Sequence, residues 1–94
     1  MVAPTEKVIE QKFVRECVKR GWFCLKQNVM GRRGYPDRLV IKPGGIHVWI
    51  EMKRPGGKLS ELQKITIENL EAQGCVVRVQ FDAMEAINFV EGIA

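Results

Sequence analysis

Apolar and polar residues alternate along this chain with two different periods, and the change of period marks out the elements. From Thr5 to Arg20, "TEKVIEQKFVRECVKR" repeats at helical spacing, with Phe13, Val14, Cys17 and Val18 on one stripe and Gly21 as its stop. "WFCLKQ" (Trp22 to Gln27) reads as a strand, and "NVMGRRG" (Asn28 to Gly34) as a loop. Asp37 to Lys42 is a short apolar strand, and Ile46 to Lys53 is a second strand rich in β-branched and aromatic residues. The Pro43-Gly44-Gly45 turn between them predicts a hairpin.

After "RPGGK", Ser60 and Gln63 form a capping box that opens a second helix from about Glu61 to Gln73, with Gly74 as its stop. Cys75 to Gln80 is a fourth strand, and "DAME" at Asp82 to Glu85 caps a last helix running to about Glu91. The order αβββαβα predicts an α/β fold, a mixed sheet with helices packed against it. With 94 residues, 46% of them hydrophobic, there is material for one core, so residues 1–94 are expected to form a single domain.

Composition narrows the function classes only a little. A net charge of +4 and a pI near 9.2 favour a polyanionic partner. Cys17, Cys24 and Cys75 are odd in number, far apart and in apolar surroundings, which argues against a disulfide framework or a zinc knuckle and for a reducing compartment. No secretory, transit-peptide or membrane-spanning pattern is present, so a cytosolic protein without a membrane partner is expected. His47 is a lone imidazole on a strand and receives no catalytic role.

The chemistry concentrates at one end of the hairpin. On the strand from Ile46 to Lys53, Glu51 and Lys53 share a face with His47 and Trp49, while Ile46, Val48, Ile50 and Met52 point the other way. If the hairpin closes at Pro43–Gly45, antiparallel pairing brings Asp37 beside Glu51 and Lys53. Two carboxylates so close repel unless neutralised, and a hard divalent cation with oxygen ligands does this economically. Such an ion grips a phosphodiester oxygen and acidifies a water, which Lys53 is placed to orient or deprotonate. A solvated Lys–Glu pair at a strand end is the plainer reading. The upstream "PD" at hairpin distance and the apolar character of the strand weigh against it.

Other candidates carry two readings each. Steps of about 100° put Glu10 near the middle of the stripe of the first helix, facing inward. An acid favoured by the helix dipole explains it equally well, and Glu6 with it. Gln63 is explained by the cap with Ser60, although helix N-termini also bind phosphate. Arg32, Arg33, Arg38, Arg54, Lys58 and Lys64 border the same sheet end, where a phosphate backbone needs cations.

With Glu10 in "VIEQKFV", Asp37 in "GRRGYPDRLVI", and Glu51 and Lys53 in "VWIEMKRPGGKLSELQ", the chain resembles the PD-(D/E)xK nuclease superfamily. More narrowly, it resembles the virus-type replication-repair nuclease (VRR-NUC) domain in its minimal stand-alone form. The resemblance implies a restriction-endonuclease-like core and Mg²⁺- or Mn²⁺-dependent hydrolysis of DNA phosphodiesters. It also implies that Asp37, Glu51 and the Met52 carbonyl hold the metal, that Lys53 is the catalytic lysine, that Glu10 is an outer or second-metal acid, and that Gln63 is the glutamine following the last catalytic strand. Stand-alone members are similar to Holliday-junction resolvases, which implies a homodimer cutting branched DNA in the cytoplasm of a bacterial or phage-infected cell.

Cutting two strands symmetrically needs two sites related by a two-fold axis, which also favours a dimer. Trp22, Phe23, Phe81, Phe89 and Ile93 are candidates for its interface, with core packing the alternative for most. Two other functions stay open: a non-catalytic basic DNA-binding or dimerisation module, and a nuclease of the same chemistry directed at linear duplex.

Overall fold

The computed structural model describes residues 3–28 and 33–94. Its elements are α1 (Glu6–Lys19), β1 (Phe23–Lys26), β2 (Arg38–Lys42), β3 (Ile46–Met52), α2 (Glu61–Ala72), β4 (Val76–Gln80) and α3 (Ala83–Glu91). The αβββαβα order and the mixed sheet expected from the sequence are therefore present. Ser60 and Asp82 cap their helices as the sequence predicts, and Thr5, read as the first residue of the helical stretch, is the cap of α1: each accepts a hydrogen bond from a backbone N–H three residues on. At Ser60 the full capping box forms.

The four strands lie in the order β1-β2-β3-β4. β1 pairs antiparallel with β2 and β2 antiparallel with β3, whereas β4 joins parallel to β3 after the α2 crossover. The β2–β3 turn rests on Gly44 and Gly45, whose φ of 93° and 71° suit glycine alone.

One face of the sheet carries the core. Val40, Val48, Ile50 and Met52 are fully buried there against Ile9, Phe13 and Cys17 of α1 and Ala86, Ile87 and Val90 of α3. Alternation sends Trp49 and Glu51 to the other face. There the segment before β2 folds against α2: Gly34 (φ 86°) approaches so closely that an added Cβ would stand 2.8 Å from Thr66 Oγ1 and 2.9 Å from the Leu62 carbonyl. Pro36 is fully buried and Tyr35 lies 6.1 Å from Trp49, ring centre to ring centre. Thus Gly34, Tyr35 and Pro36 fix the approach of the chain to Asp37.

Gly34→Ala is accordingly expected to cost about 2 kcal/mol or more, since it adds both a strained φ and a backbone clash. A thermal melt checks it. An unchanged melting temperature would show that this docking is not needed.

The apolar residues weighed for an interface divide clearly. Trp22 is buried, and Phe89 and Ile93 pack on the core. Phe23 and Phe81 are exposed, as are Leu25, Leu62 and Ile65. Among the described residues, no helix is long and apolar enough to cross a membrane.

Candidate active site

The register of the hairpin decides where the acids meet. Arg38 pairs with Ile50 and Lys42 with Ile46, so one step further toward the open end Asp37 stands opposite Glu51. The Asp37 N–H donates to Glu51 Oε1 at 3.1 Å. Neighbouring strands hold both sides of this pair. The Gln27 N–H donates to the Asp37 carbonyl at 2.7 Å, and the Lys53 N–H donates to the Gln80 carbonyl at 2.9 Å. Each candidate residue therefore sits on backbone tied to a neighbouring strand, which orients its side chain before any ligand arrives.

Glu51 is only 2% exposed. Its second oxygen, Oε2, faces Lys53 Nζ at 3.6 Å, and that ammonium also lies 4.0 Å from Glu6 Oε1. Burial, reinforced by the charge of Asp37 and opposed by Lys53, pushes the Glu51 carboxyl up to about 7. Asp37 is raised as well, by its own burial and by Glu10, with Lys26, Lys53 and Arg38 working the other way. A buried acid and a half-buried one that resist ionisation side by side mark a place where a further positive charge would be stabilising.

The remaining residues singled out in the sequence fall into distinct positions. Glu10 lies on the flank of α1, where its Oε2 accepts from Arg38 Nε at 2.9 Å; both side chains are largely buried. Gln63 serves the cap, its Oε1 accepting from the Ser60 N–H at 2.8 Å and its own N–H donating to Ser60 Oγ at 3.1 Å. Met52 ends β3 between Glu51 and Lys53 with its side chain in the core. Arg54 and Lys58 are exposed in the turn after β3, and Lys64 is exposed beside Glu61 at 3.2 Å. Arg33 lines a cavity of about 290 Å³ with Tyr35, Leu62, Ile65, Thr66 and Asn69. Arg32 lies outside the described residues.

Two participants carry no motif. Lys26 pairs in register with Arg38 and its charge reaches Asp37. Glu6, at the start of α1, adds negative charge near Lys53 and Glu51. Helical spacing gave a hint of Glu6, whereas Lys26 is exposed only by the pairing of β1 with β2.

Whether this corner suits a divalent cation turns on its donors. Asp37 and Glu51 offer carboxylate oxygens, and no group of three or more His, Cys, Asp or Glu residues suited to a metal exists among the described residues. That set fits a hard ion such as Mg²⁺, which binds through one or two carboxylates and completes its octahedron with water, carbonyl and substrate oxygens. It does not fit zinc, which in structural sites takes four protein ligands.

Comparison with known proteins gives the family and the fold. A phage protein named "Putative nuclease p44", from Acyrthosiphon pisum secondary endosymbiont phage 1, is 43% identical over 58 residues. The match covers 62% of this chain and 62% of the length of that relative. A solved structure described as a VRR_NUC domain superposes with a TM-score of 0.84 over 97% of this chain and 100% of that one, at 24% identity, and so shares the fold. The sequence model of the VRR-NUC domain matches residues 4–80, a span that contains Glu10, Asp37, Glu51, Lys53 and Gln63, and the chain belongs to the VRR-NUC domain family.

Proposed function

We propose that this chain is a PD-(D/E)xK-type DNA endonuclease that uses Mg²⁺ or Mn²⁺ to hydrolyse phosphodiester bonds, acting as a homodimer on four-way (Holliday) junctions. The observation that carries the reading is the meeting of Asp37 and Glu51 in direct register, with Lys53 Nζ 3.6 Å from Glu51 Oε2. Asp37, Glu51 and the Met52 carbonyl would hold the ion, which when bound polarises the phosphodiester and lowers the pKa of a coordinated water.

The protein's own groups do the rest. Lys53, with little freedom between Glu51 and Glu6, orients the attacking water and offsets negative charge gathering on the phosphorane. Glu10 acts from the edge of the site, where it holds the Arg38 guanidinium. Gln63 contributes through the α2 cap, which keeps the helix that supports Gly34 in place. Arg32, Arg33, Arg54, Lys58 and Lys64 would supply the cations that a phosphate backbone needs. Two-fold symmetry supplies the second site that paired incisions need.

The test is to incubate the purified protein with a four-way junction and with linear duplex of the same arms, in EDTA, Mg²⁺ or Mn²⁺. Paired cuts in the junction with either ion, and none in EDTA, are expected. Equal cutting of linear duplex would move the substrate to ordinary DNA. Binding without strand breaks in any metal would leave a non-catalytic DNA-binding module.

A further inference from the structure

On the α1 face of the sheet, at the start of β2, lies a second cavity of about 430 Å³ lined by Gln11, Val14, Arg15 and Arg38. It is separate from the cavity at Arg33 and Tyr35, which lies against α2 on the other face. We propose that the cavity between α1 and the start of β2 binds a phosphate of the DNA backbone flanking the scissile phosphodiester, held by Arg38 and Arg15. The proposal rests on the nuclease reading for its ligand and adds the path of the strand.

Arg38 is held in advance for such a contact. Its Nε donates to Glu10, and Nη1 makes a long contact of 3.5 Å with the Cys24 carbonyl. A guanidinium carries five N–H groups, so three remain without a protein acceptor among the described residues. The side chain is only 16% exposed and lines the cavity. No buried side-chain N or O atom among the described residues lacks a partner, so Nη2, which makes no hydrogen bond to protein there, is open to solvent. A planar fork anchored on one edge and open on the other suits a phosphate, because little conformational freedom remains to be lost on binding.

Arg15 stands on the opposite wall. It is exposed, forms no ion pair among the described residues, and lies one helical turn from Gln11, so both present donors to the same space. Glu10 neutralises one of the two guanidiniums, leaving about one net positive charge, which matches a phosphodiester monoanion. Arg38 directly follows Asp37 in the chain, which sets this cavity at the same end of the hairpin as the carboxylates. With Arg33 on the α2 side, the strand would cross the sheet end from one face to the other.

The experiment is DNA binding by Arg15→Gln, measured in EDTA across a series of salt concentrations. Reading it without a divalent ion keeps it independent of cleavage, so a chain that never cuts DNA fails the nuclease reading and still decides this one. Arg15→Gln is expected to weaken binding roughly 3- to 10-fold and to lower the slope of log K against log salt by about one. Lys12→Gln removes the same charge from the same helix at a residue that does not line the cavity and is expected to bind as wild type. Wild-type affinity and slope in Arg15→Gln, or an equal loss in Lys12→Gln, would overturn the proposal.

Discussion

Asp37→Asn and Lys53→Ala are each expected to lower metal-dependent cleavage of a four-way junction by roughly 10²- to 10⁴-fold while DNA binding changes by no more than a few-fold. The two substitutions act on different parts of one corner. Asparagine at 37 keeps the backbone N–H that bonds Glu51 Oε1, so the hairpin end keeps its geometry, but it removes one of two carboxylate charges facing the proposed ion. Alanine at 53 leaves both carboxylates and removes the ammonium 3.6 Å from Glu51. Single-turnover rates with saturating enzyme separate these effects from binding. If both variants cleave at the wild-type rate, the reaction does not use this corner.

How much of this was legible beforehand follows from the physics of each element. Asp37 and Glu51 were readable as neighbours because a strand has a period of two and a tight turn leaves no freedom in register: a hairpin closed at Pro43–Gly45 pairs Lys42 with Ile46 and hence Asp37 with Glu51. The caps at Ser60 and Asp82 were readable because they are local hydrogen bonds within four residues. The partner of Glu10 was not. A helical stripe gives the direction of an acid relative to its own helix, whereas the Glu10–Arg38 pair depends on which strand lies beneath α1, a contact between residues 28 apart. Lys26 was hidden for the same reason, since only the β1–β2 register sets it opposite Arg38. Lys53 and Glu51 were visible as a pair, but the near-complete burial of Glu51 was not, because alternation puts it on the face away from the core, where exposure is the ordinary expectation.

That burial leads to the second large effect, on stability rather than rate. In the folded protein the Glu51 carboxyl is raised from its ordinary value of 4.5 to about 7. Between those two pH values the folded chain keeps a proton that the unfolded chain has released. Stability therefore falls as pH rises from about 4.5 to about 7 and stays low above. Asp37, also raised, adds to the same trend. A shift of this size corresponds to on the order of 3 kcal/mol, or a melting temperature roughly 10 °C lower at pH 8 than at pH 5 in EDTA.

Glu51→Gln keeps the shape and the acceptor for the Asp37 N–H but cannot ionise. It is expected to abolish cleavage, to melt well above wild type at pH 8 and to match it near pH 5. Mg²⁺ should raise the melting temperature of the wild type at pH 8 and leave the variant nearly unmoved, because a ligand stabilises only the state that binds it. The charge that destabilises the fold above pH 7 is then the same charge that would hold the ion, so activity would come at the expense of stability. A wild-type melting temperature flat from pH 5 to 8 in EDTA, or a variant no more stable than wild type at pH 8, would mean that the Glu51 carboxylate ionises without penalty. The argument for a cation at this corner would then lose its electrostatic basis.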